Sequence, residues 1–105
     1  MRVLVTGGNK GIGKAIVARL LAEPQVSEVY FTCRDHAQGQ EVVNSLSSNT
    51  KQKTLEFFML EIMDDFSIET FFNELKLRKL VFDVFVHNAG IYRRQNVRSD
   101  WEDTL

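Results

Sequence analysis

Residues 2–13 read RVLVTGGNKGIG, and the interpretation of the whole chain turns on them. Val3, Leu4 and Val5 form a short apolar run with strand character. A glycine-rich turn follows, and an amphipathic helical pattern opens near Gly11 or Ile12. The first N–H groups of a helix have no intrahelical partner, and the helix dipole is positive at that end. Where glycine removes the Cβ, a pyrophosphate can approach the backbone closely enough to use them. Strand, turn and helix start therefore read as a phosphate-binding device.

The turn carries Gly7, Gly8, Gly11 and Gly13, with Asn9, Lys10 and Ile12 between them. The spacing departs from the general dinucleotide fingerprint G-x-G-x-x-G. The words VTGG and GIG resemble the cofactor loop of the short-chain dehydrogenase/reductase family, and VTGGNKGIG is most similar to its carbonyl-reductase branch. A Walker A loop is the rival at the same residues, since Gly8-x-x-x-x-Gly13-Lys14 fits its start. That motif needs Ser or Thr next to hold Mg²⁺, and Ala15 cannot ligate a metal. A plain strand-to-helix turn would be an expensive use of so many glycines.

The chain has 105 residues, the size of one small domain, with 44% hydrophobic and 26% charged residues. A net charge of −1 makes no electrostatic case for nucleic acid or an acidic membrane. The apolar runs are too short to span a bilayer. No signal peptide is read, because the N-terminus enters the fingerprint strand directly. One cysteine, Cys33, cannot form an internal disulfide. A cytoplasmic or other reducing compartment is expected, with Cys33 as a packing residue.

Outward from the glycine turn, the pattern predicts a helix over 12–23, with Ile12, Ile16 and Leu20 as its apolar stripe beside Val17 and Leu21, ended by Pro24. A strand follows over 28–33, then a helix over 37–46 containing Gly39, then a polar surface loop over 47–53. The next strand is placed at 54–60. A helix capped by Asp64 or Asp65 runs to 79, carrying Phe66, Ile68, Phe71, Phe72 and Leu75. The fourth strand, 82–86, is apolar apart from Asp83, as a strand buried on both faces would be. Residues 91–105 read as a loop leading into a further helix capped by Ser99 or Asp100.

This alternation predicts an α/β fold: a Rossmann-like parallel sheet of order 3-2-1-4 with flanking helices and right-handed crossovers, the first half of a doubly wound fold. The chain reads as one unit, an incomplete N-terminal part of an NAD(P)-binding domain.

The adenosine end of a dinucleotide belongs beyond the second strand, where an acid suits the ribose 2′-OH of NAD and an arginine the 2′-phosphate of NADP. Cys33 stands where the acid is expected, and Arg34 follows it. Arg34 with Lys10 resembles the family's NADP pattern, so NADP(H) is favoured over NAD(H). Asp35 can pair with Arg34 or a ribose hydroxyl. After the third strand, Glu61-Ile62 replaces the family's Asp-Val or Asp-Ile, whose acid contacts the adenine. His87-Asn88-Ala89-Gly90 resembles the family's Asn-Asn-Ala-Gly on the nicotinamide side. Asn88 can brace the central strands, and His87 is expected to be structural rather than a general base.

The resemblance implies NADPH-dependent carbonyl reduction by hydride transfer, with a small carbonyl or alcohol as substrate. The family's tyrosine acid lies in Tyr-x-x-x-Lys, helped by a serine and an asparagine. Tyr30 is followed four residues on by Arg34, and Tyr92 by Asn96, so neither supplies that spacing. The catalytic Asn, Ser, Tyr and Lys are therefore expected beyond Leu105, and these residues alone are expected to be inactive. The alternative is a non-catalytic, truncated NADP-binding module or gene-model fragment. The fourth strand is then expected to leave an aggregation-prone apolar surface.

Overall fold

The computed structural model describes residues 1–50 and 52–88. Strands and helices alternate strictly, as β1 (Arg2–Thr6), α1 (Gly11–Leu21), β2 (Glu28–Cys33), α2 (His36–Thr50), β3 (Thr54–Met59), α3 (Asp65–Arg78) and β4 (Val84–His87). The four strands form one parallel sheet in the expected order β3-β2-β1-β4. Val3 lies opposite Val29 on one side and Val84 on the other, and Thr6 lies opposite His87.

The period-two alternation of a strand divides the apolar residues between two faces. Val3, Val5, Val29, Phe31 and Cys33 pack with Val17, Leu21, Val42 and Leu46 of α1 and α2. Leu4, Tyr30 and Phe58 pack with Phe71 and Leu75 of α3. Helices thus pack on both faces of the sheet, and Val3–Val5 of β1 and Val29–Cys33 of β2 are buried. After β3 the chain crosses back over the sheet to place β4 beside β1. The connection therefore reverses direction at the carboxyl ends of β1 and β4, where ligands bind in open α/β sheets.

Several local expectations are corrected. The buried line of α1 is Gly13, Val17 and Leu21, while Ile16 and Leu20 are half-buried and Ile12 is 67% exposed. Gly13 sits on the inner face because the helix presses against the Gly7 carbonyl there. The polar stretch from Ser47 to Thr50 is the last turn of α2, not a loop. Its hydroxyls satisfy the helix itself: Ser47 Oγ donates to Asn44 O at 2.9 Å, and Thr50 Oγ1 to Ser47 O at 2.9 Å. β4 is not buried on both faces. Among the described residues it has a strand on one side only, and Val84 and Phe85 are exposed. On α3, Phe66 and Phe72 are exposed as well. Asp64 caps α3 as expected, accepting from Phe66 N at 3.0 Å. The expected elements beyond β4, with Ser99 and Asp100, lie outside the described residues.

The opposite end of the sheet is tied by side chains. Arg2 donates from Nε and Nη2 to both carboxylate oxygens of Glu28, at 2.9 and 3.0 Å, and Tyr30 OH donates to Glu28 Oε1 at 2.7 Å. The bond from Arg2, and then that from Tyr30, hold the Glu28 carboxyl below its usual range. Burial, reinforced by Glu28, pushes the Tyr30 phenol up to about 12. No helix among the described residues is long and apolar enough to cross a membrane.

Candidate functional site

A cavity of about 670 Å³ opens at the carboxyl ends of the strands. That volume lies within the range of roughly 300–1,000 Å³ usual for small-molecule sites. One wall is the glycine turn, contributing Gly7, Asn9, Lys10, Gly11 and Ile12. A second comes from the end of β2 and the start of α2, with Thr32, Cys33, Arg34 and Gln38. A third follows β3, with Leu60 through Met63, and the last is His87 and Asn88 at the end of β4.

Backbone conformation shapes the first wall. Gly7 has φ 72 and Gly11 φ 48, both in the left-handed region that glycine adopts without a Cβ penalty. Nothing lies within 4 Å of where a Gly11 Cβ would stand, so that face of the turn is open. Gly7 N donates to Thr32 Oγ1 at 3.0 Å, and Gly8 N to Thr32 O at 3.2 Å. The start of the turn is thereby anchored to β2. Gly8 and Gly13 stand behind the cavity wall. A Cβ on Gly8 would come within 2.6 Å of Phe31 Cβ, and one on Gly13 would overlap the Gly7 carbonyl oxygen. These two glycines let helix and strand approach each other.

The N-terminus of α1 differs from that of the other helices. In α2, Asp35 Oδ1 accepts from Ala37 N at 2.8 Å, and in α3 Asp64 does the equivalent. α1 has Lys10 at its cap position, no side-chain cap and no acid in its first turn. Its first intrahelical bond runs from Lys14 N to Lys10 O at 3.2 Å, so the N–H groups of Gly11, Ile12 and Gly13 precede the helical ladder. Uncapped donors and an open glycine face fit an anionic diphosphate.

Arg34 and Glu61 both line the cavity and form an ion pair there, Arg34 Nη1 lying 3.5 Å from Glu61 Oε1. Asp35 is engaged as the cap of α2, with its carbonyl also accepting from Gly39 N at 3.0 Å. Arg34 thus pairs with Glu61 rather than Asp35. Cys33 is buried, as expected of a packing residue, and burial raises its thiol above the usual range.

Asn88 braces the central strands. Its Nδ2 donates to Gly7 O at 3.1 Å, and its backbone N–H donates to Thr6 Oγ1 at 3.2 Å. His87 Nδ1 lies 3.0 Å from the same Thr6 hydroxyl, tying the ends of β1 and β4. Ala89 and Gly90 lie outside the described residues. The residues that sequence reasoning missed are Thr32, whose hydroxyl holds Gly7, and Gln38, whose Oε1 accepts from Asn9 Nδ2 at 2.8 Å. Thr32 is next to last in β2, where a hydroxyl can reach a neighbouring turn. Gln38 carries no sequence signal, because its partner is 29 residues away.

The short chain dehydrogenase family matches residues 1–105. Over 88 residues the chain is 42% identical to carbonyl reductase (NADPH) 1 of Homo sapiens, covering 84% of this chain and 31% of that protein. Over 90 residues it is 38% identical to (+)-neomenthol dehydrogenase of Capsicum annuum, covering 84% of this chain and 28% of that protein. A solved NADPH-bound carbonyl reductase from chicken fatty liver superposes with a TM-score of 0.67 at 34% identity, covering 86% of this chain and 34% of that one. The chain spans about a third of the length of the curated relatives it matches. A glycine turn feeding an uncapped helix, a 3-2-1-4 parallel sheet and a match along all its residues agree: the chain belongs to the short chain dehydrogenase family of oxidoreductases.

Proposed function

We propose that this chain is the cofactor-holding part of an NADPH-dependent enzyme that reduces small carbonyl compounds, or oxidises the corresponding alcohols. The uncapped start of α1, opening on the cavity, carries this reading. Gly11 and Ile12, which line the cavity, present N–H groups to the diphosphate, the Gly13 N–H follows in the same uncapped turn, and Gly7 gives backbone room. Arg34 and Lys10 take the 2′-phosphate, Glu61 and Ile62 border the adenine, and Asn88, Ala89 and Gly90 stand at the nicotinamide side. Gly8, Gly13 and Asn88 also hold the turn in shape. When bound, the nicotinamide supplies the hydride for a carbonyl carbon. NADP(H) is preferred over NAD(H) because two cations line the cavity, and because similar proteins carry NADPH in their names. A reducing, cytoplasmic setting suits the unpaired, buried Cys33.

The absence of Tyr-x-x-x-Lys from these 105 residues favours a second reading, in which they bind NADPH as an incomplete N-terminal part without turning it over. Isothermal titration with NADPH and NADH, alongside an assay of carbonyl reduction, tests both. Tighter binding of NADPH without turnover is expected. Equal affinities would remove the role given to Arg34. Turnover lost on Gly13→Trp would overturn the inactive reading.

A further inference from the structure

Glu61 is held by its own turn. Its Oε2 accepts from Met63 N at 3.1 Å, its backbone N–H donates to Ser67 Oγ at 2.8 Å, and its carbonyl accepts from Asp64 N at 3.1 Å. These bonds leave Oε1 3.5 Å from Arg34 Nη1. Ser67 lies in the first turn of α3, so that helix fixes the Glu61 backbone, while Met63 N of the same turn holds the carboxylate independently of Arg34. The Arg34 side chain is 59% exposed and that of Glu61 36%, and an ion pair so open to water is weak. A phosphate monoester carries more charge than a carboxylate and accepts both prongs of a guanidinium. It can therefore displace Glu61 from Arg34, but only against the repulsion of a carboxylate fixed close by.

We infer that Glu61 is a specificity-determining residue of the adenosine end: its carboxylate occupies Arg34 as a stand-in for the 2′-phosphate and competes with it. The inference rests on the cofactor reading above and deepens it. A nucleotide with a 2′-phosphate must exchange this contact, while one with a free 2′-hydroxyl leaves it in place. Glu61 thus narrows the preference for the phosphorylated cofactor that Arg34 creates. Reach is what makes this possible, since an aspartate at 61 would stop one methylene short.

The test uses adenosine 2′,5′-bisphosphate and AMP as probes, titrated calorimetrically into the protein at low ionic strength. Glu61→Gln keeps an amide oxygen for Met63 N, so the turn is retained, and a thermal melt checks this. Binding of the bisphosphate should tighten about twofold to fivefold, the scale set by an exposed ion pair, while AMP changes far less. Glu61→Asp should act in the same direction. The gain should vanish in an Arg34→Met background and shrink at high salt. A Glu61→Gln protein that binds both probes as wild type does, or whose affinities for both change equally, overturns the inference while leaving the cofactor reading standing. A wild-type protein that binds neither probe overturns both.

Discussion

Asn88 Nδ2 donates to the Gly7 carbonyl oxygen at 3.1 Å, and the same oxygen lies where a Cβ on Gly13 would fall. Three segments therefore meet at one backbone atom: the end of β4, the glycine turn and the first turn of α1. The turn keeps its shape because Asn88 holds that carbonyl on one side while α1 closes on it from the other. Asn88→Ala leaves the carbonyl without this donor and should cost about 1–2 kcal/mol of stability, read as the urea midpoint. Gly13→Ala forces α1 away from the glycine turn and should cost about 3 kcal/mol. A Gly13→Ala protein as stable as wild type would contradict the packing described.

Gly39 gives a prediction opposite in sign to helix propensity. In an exposed helix, Gly→Ala gains about 1 kcal/mol. Here a Cβ would stand 2.6 Å from Phe57 Cδ2 and 2.7 Å from Cys33 Sγ. Gly39→Ala should therefore lose about 1–3 kcal/mol in a denaturant titration, through overpacking. A gain would show that α2 rests on the sheet less tightly.

Lys53 reaches back to α1, donating from Nζ to Leu21 O at 2.8 Å and Glu23 O at 2.6 Å. A cation at the negative end of a helix satisfies carbonyls that the helix leaves unpaired. Lys53→Met should lower stability by about 1 kcal/mol, with a smaller deficit at high salt. A salt-independent deficit would point to packing instead.

The Arg2–Glu28–Tyr30 cluster sets pH limits on stability. The Glu28 carboxyl is held below its usual range when folded, so its contribution is present above that range and lost as pH falls through the lowered value. The Tyr30 phenol is raised from 10.0 to about 12, so its contribution is present below 10.0 and lost as pH rises towards about 12. Melting temperature should fall at both limits. Tyr30→Phe should flatten the alkaline fall and cost about 1 kcal/mol at neutral pH, because the bond to Glu28 is lost. An unchanged alkaline limb would assign that loss to another group.

What could be read from the sequence was local. The glycine turn and a cap at Asp64 or Asp65 follow from neighbouring residues and the strand order from the alternation of elements; the structure has that order, with Asp64 as the cap. The last turn of α2 looks like a loop in composition, because Ser47 and Thr50 are polar, yet their hydroxyls return to the helix carbonyls. Hydrophobic periodicity overlooks glycine, so it points to the wrong face of α1: Gly13 marks the inner line with Val17 and Leu21. Pairings such as Asn9–Gln38, Arg34–Glu61 and Lys53 with Leu21 join distant segments, and no local pattern announces them. Glu61 was read as an adenine contact on resemblance, and only geometry connects it with Arg34.

The central claim is that the start of α1 receives the diphosphate. Backbone amide shifts recorded by NMR during titration with NADPH test it most directly. Gly11, Ile12 and Gly13 should show the largest changes, and ADP should reproduce them while adenosine does not. Changes centred elsewhere, with these three amides unmoved, would contradict it.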